Sequence, residues 1–252
     1  MATFMSNLSP APFHRDTGHP LAVGQSAVTG VNPKTSRPRT GVMGGQVDVM
    51  TGAEILGWVQ YAARGRRKAV VGTHNLRSLF LAERHPQMAR FYHLADIVQI
   101  NSPLLLKFAA MTGKPLGPEH LSAYPHWRDQ FWSMCQRYGL RVYYLGGDAG
   151  GATGAVRMLE MAYPDVRFSG RDRYFDETTD GAENQQVISA IRKFAPDILL
   201  VGLGMPRQEI WIAENYSDLP PCVIMPVGEA LDRELGESGK TPDKNGKSGI
   251  KG

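Results

Sequence analysis

The stretch Ile198-Leu199-Leu200-Val201-Gly202-Leu203-Gly204-Met205-Pro206-Arg207-Gln208-Glu209 decides the reading of this chain. Its opening residues are apolar without alternation, as in a strand covered on both faces of a parallel sheet. A Gly-x-Gly bend follows. Proline then opens a helix, a position where no backbone N–H is missed. Glu209 in the first helical turn suits the helix dipole, which is a structural role. Arg207, at the mouth of a strand-end cleft, is placed to pair with phosphate. Gln208 has no evident structural duty.

The same strand-to-helix alternation extends in both directions. Strands are expected at Gln46–Met50, Ala69–Gly72, Ile97–Ile100, Val142–Leu145, Val166–Ser169, Ile198–Gly202 and Val223–Val227. Thr51-Gly52-Ala53-Glu54 reads as a capping box that starts a helix. Ser102-Pro103 reads as an N-cap followed by proline. Further helices are expected over 122–138, 150–162, 182–194 and 207–216. The pattern predicts an α/β fold: a Rossmann-like, mostly parallel sheet with helices on both faces, in a single domain. Ligands of such sheets bind beyond the carboxyl ends of the strands, so chemistry is sought just after each strand.

Composition narrows the class. The 252 residues are 42% hydrophobic and 21% charged, which excludes a wholly disordered chain, a collagen-like repeat and a coiled coil. There is no apolar run of about 18 residues for a membrane span and no signal-peptide core near the start. Cys135 and Cys222 read as half-buried thiols of a reducing compartment. Residues 1–40 are rich in Pro, Ser, Thr and Gly and read as a disordered tail; 41–235 form the folded domain; 236–252 read as a flexible, Gly/Lys-rich end. Of the formal charge of +4, the two tails carry +3 and +2 and the body between them −1. That argues against nucleic-acid binding, which wants a basic face on the folded domain. Basic tails suit an anionic membrane surface, and solvated tails without function are the simplest reading.

Two further strand ends carry polar chemistry. Thr73-His74-Asn75 puts a hydroxyl and a carboxamide where both can meet sugar hydroxyls or phosphate oxygens; taken alone, an Asx or ST turn capping the next helix is the more ordinary explanation. Leu145-Gly146-Gly147-Asp148 is either a phosphate-approach bend before a helix N-terminus or a plain tight turn. The dinucleotide fingerprint and the P-loop pattern are absent, as are zinc spacings among the seven histidines, Asp-x-Asp and Gly-x-Ser-x-Gly. No metal is expected.

Thr73-x-Asn75, Ala95-Asp96-Ile97-Val98, Leu145-Gly146-Gly147, Tyr163-Pro164, Pro196-Asp197-Ile198-Leu199, Val201-Gly202-Leu203-Gly204-x-Pro206-Arg207-Gln208-Glu209 and Val227-Gly228-x-Ala230-Leu231-Asp232 stand in this order. In that order the chain resembles the WecG/TagA/CpsF glycosyltransferases over residues 42–250. The resemblance implies a bacterial, metal-independent, inverting transferase. Such an enzyme moves an N-acetylmannosamine-type sugar or glucose from a UDP-sugar to a polyprenyl-diphosphate-linked saccharide. It would act in the cytoplasm, in peripheral contact with the inner membrane face, with no nucleic-acid partner and with a homo-oligomer left open. By the same resemblance Thr73, Asn75 and Gln208 line the sugar and acceptor pocket, and Gly146, Gly147, Gly202, Gly204, Arg207 and Asp232 form the nucleotide side.

The chain departs from that pattern in three places. Asn101-Ser102 stands where the family has Asp-Gly, whose Asp is the proposed general base. A carboxamide does not take a proton at neutral pH, and losing a positioned base costs on the order of 10²–10⁴ in rate. Asp96, His74, Glu119 and His120 are the replacement candidates. Arg173 stands where a glycine precedes Tyr-Phe. Lys240-Thr241-Pro242 and Gly249-Ile250 read as the remnant of an Arg-rich appendage, shortened by truncation or loss. The rival reading is a nucleotide-sugar-binding protein that kept the donor site without catalysis. Asn101→Asp raises turnover if residue 101 is a crippled base and leaves it unchanged or lower if another base serves, whereas UDP binding without any UDP release supports the binding reading. An NAD oxidoreductase on a similar sheet is disfavoured by the missing fingerprint.

Overall fold

Backbone register builds this molecule outward from a short hairpin. In the computed structural model, which describes residues 37–231, β1 (Arg39–Val42) and β2 (Gly45–Asp48) pair antiparallel. Met43 and Gly44 both take positive φ in the two-residue turn, the geometry that matches strand twist. Six parallel strands follow: β3 (Ala69–His74), β4 (Ile97–Ile100), β5 (Arg141–Gly146), β6 (Arg167–Arg171), β7 (Ile198–Gly202) and β8 (Val223–Pro226). Their order across the sheet is β4-β3-β8-β7-β5-β6. The helices are α1 (Gly52–Arg64), α2 (Leu76–Arg84), α3 (Pro86–Leu94), α4 (Pro103–Met111), α5 (Tyr124–Arg137), α6 (Gly151–Ala162), α7 (Ala182–Phe194) and α8 (Arg207–Asn215).

Alternate residues of each strand feed opposite layers, as a pleated strand dictates. Val70, Val98, Tyr143, Leu199, Val201 and Ile224 pack with Phe91, Leu105, Ile188 and Trp211 on one face. Val71, Ile97, Val142, Leu200 and Val223 pack with Val59, Phe131, Trp132 and Leu159 on the other. The expected α/β fold with helices on both faces is what the chain adopts. Cys135 and Cys222 are fully buried, more so than expected.

The folded body begins earlier than residue 41. Arg39 Nε donates to Asp48 Oδ1 at 3.0 Å, and the buried Asp48 accepts the Val98 N–H through Oδ2 at 2.7 Å. One carboxylate therefore ties the hairpin to the outer edge of β4, and Arg39 is part of the fold. Arg37 joins it, with its guanidinium donating to Asp96 O at 2.8 Å, while residues 1–36 of the expected tail, the expected C-terminal end and Asp232 lie outside the described residues. Sequence reading also missed α2 and α3, and it placed Gln46–Met50 as an ordinary strand when it belongs to the hairpin.

One local feature of the sheet opens the site. β3 and β8 pair only through Ala69 with Val223 and Val70 with Ile224, then part. The N–H groups of Val223 and Val227 both point to β7, bonding Asp197 O and Val201 O. By strand alternation, residue 226 is the one whose N–H would face β3. It is a proline and has none, so the ladder to β3 cannot continue there.

Replacing Asp48 with Ala should strand the Val98 amide and the Arg39 guanidinium, costing about 2–4 kcal/mol. Urea unfolding of Asp48→Ala at neutral pH checks this; a loss below about 0.5 kcal/mol, the range of ordinary surface substitutions, would contradict it.

Candidate functional site

The gap between β3 and β8 widens into a cleft of about 640 Å³ over the carboxyl ends of β4, β3 and β8. Thr73 comes from β3, and Asn75 from the bend that follows. Asn101 comes just after β4, Gln208 and Glu209 from the first turn of α8, and Pro226 to Ala230 from the β8 exit. Tyr124, Trp127 and Arg128 on α5 form the remaining wall. The three residues expected on the sugar and acceptor side, Thr73, Asn75 and Gln208, are thus brought together with Asn101, at the position of the family's base, from three separate strand ends.

Their bonding fixes them in place. Ser122 Oγ donates to Gln99 Oε1 at 2.6 Å, and Gln99 Nε2 donates to Thr73 Oγ1 at 2.9 Å, so the hydroxyl is held by a buried amide. Asn75 does serve as a cap: its Oδ1 accepts the Ser78 N–H at 2.8 Å at the start of α2. It lines the cleft as well, so the capping role and a place on the cleft wall coexist. The Asn101 side chain is exposed, while its backbone N–H bonds His74 O at 2.9 Å.

Gln208 bridges the gap. Its Oε1 accepts the Gly228 N–H at 3.0 Å, and its Nε2 donates to Glu209 Oε1 at 2.8 Å. Both side chains are buried, at 4% and 2% exposure. Glu209 Oε2 has no hydrogen-bond partner. Burial pushes the Glu209 carboxyl up to about 7, against the weaker downward effects of its Gln208 and backbone hydrogen bonds and the Arg77 charge. Tyr92 on α3 closes the gap from below, its hydroxyl donating to the Thr73 carbonyl at 3.0 Å.

The glycines expected on the nucleotide side do not line this cleft. A Cβ on Gly146 or on Gly202 would run into the Tyr144 phenol, at 2.7 and 2.8 Å, so both positions make room for that ring. Gly202 also lies against the Gly228 carbonyl, where a Cβ would come within 2.7 Å. Gly147 and Gly204 take positive φ. The amides of Gly150 and Ala152, at the start of α6, are bonded by the Asp172 carboxylate at 2.8 and 2.9 Å. Arg207 pairs with Glu177, and Arg173 pairs with Asp148. The Asp172 carboxylate thus already takes two amides at the start of α6, and the Tyr144 ring takes the space beside Gly146 and Gly202.

None of the replacement bases lines the cleft either. The Asp96 carboxylate accepts the Val70 N–H at the opposite end of the sheet. His74 points to the other side of β3, into a separate cavity of about 580 Å³ beneath the hairpin, stacked on Tyr92. Burial holds its imidazole down at about 4. Glu119 and His120 sit in a single 3-10 turn, Pro118–His120, beyond the α5 wall. Sequence reading missed Gln99, Ser122 and Arg128, which carry no motif, and did not single out Gly228 within the Val227-Gly228-x-Ala230 segment. It also assigned Glu209 to the helix dipole, although Glu209 lines the cleft. The one available signal was the position of Glu209 directly beside Gln208.

A polar cleft over the carboxyl edge of a parallel α/β sheet marks a protein that takes a small polar ligand. The chain belongs to the glycosyl transferase WecG/TagA/CpsF family, whose model matches residues 40–251. It is similar to enzymes of Staphylococcus aureus strains NCTC 8325 / PS 47 and MRSA252 named N-acetylglucosaminyldiphosphoundecaprenol N-acetyl-beta-D-mannosaminyltransferase. Each is 30% identical over 102 residues, 40% of this chain and 38% of the relative. The match thus spans well under two thirds of those relatives. Among the described residues no helix is long and apolar enough to cross a membrane, and no group of three or more His, Cys, Asp or Glu could hold a metal ion.

Glu209 and His74 set opposing pH slopes. The folded chain keeps a proton on Glu209 up to about 7, whereas the unfolded chain releases it near 4.5, so this group's stabilisation fades as pH rises. The unfolded chain takes a proton on His74 below 6.5 that the folded chain refuses down to about 4, so that contribution fades as pH falls. Glu209→Gln removes the first slope alone. Its stability relative to the native chain should rise by about 3 kcal/mol from pH 4.5 to 7. Urea midpoints of both proteins at the two pH values check this; a constant difference would contradict it.

Proposed function

We propose that this chain is an inverting, metal-independent glycosyltransferase. It moves an N-acetylmannosamine-type sugar or glucose from a UDP donor to a polyprenyl-diphosphate-linked saccharide for a bacterial surface polysaccharide, at the cytoplasmic membrane face. The observation that carries this reading is the convergence of Thr73, Asn75, Asn101 and Gln208 in one cleft of a chain of this family. The relatives' names supply the acceptor class, a diphosphoundecaprenol carrying N-acetylglucosamine.

In this reading the two sugars lie between the β3 and β8 ends. The acceptor hydroxyl attacks the anomeric carbon from the face opposite the diphosphate, which inverts its configuration. Thr73, Asn75, Asn101 and Gln208 hydrogen-bond the sugars, and such orientation lowers the barrier by several kcal/mol. Because Asp172 and Tyr144 serve the bends around 146–151, the leaving diphosphate is assigned to the cleft itself. Arg128 is the one Lys or Arg lining that cleft among the described residues. Its Nε donates to Asp129 Oδ1 at 2.9 Å, and unlike the paired Arg207 and Arg173 it lines the cleft, where it supplies the positive charge that a departing UDP needs.

The test is UDP release with a panel of UDP-hexoses and a polyprenyl-diphosphate-linked N-acetylglucosamine. Release that requires both substrates and persists in EDTA is expected. UDP binding without release across the panel would favour a non-catalytic nucleotide-sugar-binding protein, and loss of activity in EDTA would overturn the metal-free chemistry. Arg128→Ala should weaken UDP binding by roughly tenfold or more, as a lost charged hydrogen bond does; unchanged affinity by calorimetry would place the diphosphate elsewhere.

A further inference from the structure

A transferase that deprotonates a sugar hydroxyl needs an acceptor for the proton within the cleft. Among the described residues only two carboxylates line it, Glu209 and Glu229, and Glu229 lies exposed at the rim. Asn101 is neutral. Tyr124 and Arg128 are the remaining titratable groups on the walls, and neither a phenol nor a guanidinium accepts a proton near neutral pH. Glu209 differs from these in three ways. It is buried at 2% exposure, its Oε1 is held by Gln208 Nε2 at 2.8 Å, and its Oε2 has no partner. A buried, oriented carboxylate with one oxygen left unbonded is costly for the fold unless that oxygen has work to do.

We infer that Glu209 is the catalytic base of this chain, taking the proton of the acceptor hydroxyl through Oε2 while Gln208, anchored on the Gly228 amide, holds Oε1. This rests on the transferase reading above. In the step, the acceptor oxygen forms a bond to the anomeric carbon as its O–H bond breaks. The bond from that carbon to the diphosphate oxygen breaks, UDP leaves with the electron pair, and the proton stays on Glu209 until solvent removes it. The groups that face Glu209 fit the role. Arg77 from α2 is the cation that acts on it, Tyr92 from α3 is a neutral phenol engaged with the Thr73 carbonyl, and Gln208 is neutral. A carboxyl titrating at about 7 is half ionised at neutral pH, close to the optimum for a general base.

Two measurements test the assignment. The first is the rate of UDP release against pH for the native chain, Glu209→Gln and Glu209→Asp, with UDP affinity measured alongside. The native rate should rise with pH through about 7. Glu209→Gln should lose 10²–10⁴ in kcat, on the order expected for a removed base, with UDP affinity unchanged and the rise gone. Glu209→Asp should keep the rise at a reduced rate. The second is a carbon-13 glutamate titration of the native chain, which needs neither activity nor a variant that folds, and should show one carboxyl titrating near 7 that is missing in Glu209→Gln. A Glu209→Gln rate within threefold of native, a flat native profile, or no carboxyl titrating above about 5.5 overturns the inference. A titration near 7 in a chain that releases no UDP from any donor instead overturns the transferase reading, and the catalytic role with it.

Discussion

The parting of β3 from β8 is the constraint on which the site depends. Both strands belong to one parallel sheet, yet they share register over only two residue pairs. Beyond Ile224 the β3-facing position is Pro226, which offers no hydrogen, and the two strands diverge. The polar edge of β3 left open by this split is satisfied from elsewhere: the Thr73 carbonyl takes the Tyr92 hydroxyl, and the Thr73 hydroxyl takes the Gln99 amide. On the β8 side the Gly228 amide takes Gln208. A parallel sheet that stayed zipped to its end would leave no room for these groups or for a ligand among them.

The alternation of apolar runs and amphipathic stretches made the sheet and most of the helices legible in the sequence, because a strand buried on both faces has almost no other way to be written. The hairpin escaped notice because its strands are four residues each and its turn, Met43-Gly44, lacks the usual Asn-Gly. α2 and α3 are short and meet at His85-Pro86, which blurs their period. The site was half legible. Thr73, Asn75, Asn101 and Gln208 each follow or approach a strand end, where polar residues stand out. Gln99 lies inside a strand, away from the strand ends where polar residues were sought, and Arg128 sits on an ordinary helix whose orientation toward the gap is a tertiary fact.

The glycine bends show where local reading misleads. Gly146 and Gly202 look like places for a phosphate to approach the backbone, but their missing side chains admit the Tyr144 ring. The N-terminus of α6 looks like an anion site, and it holds an anion already, the Asp172 carboxylate. Glu209 was misread in the other direction. A carboxylate in a first helical turn usually sits in water and steadies the dipole, whereas here the turn faces into the split sheet and burial changes what the group can do. Both errors come from the same source, since a sequence reveals the residue type and the element but not which neighbour occupies the adjoining space.

The most direct measurement is the position of bound UDP, by a crystal structure of the complex or by amide exchange with and without the nucleotide. The account predicts contact and protection at Thr73 to Asn75, Arg128 and Pro226 to Ala230, around the split between β3 and β8. Density or protection confined to the bend at 146–151, with the split left unchanged, would contradict it.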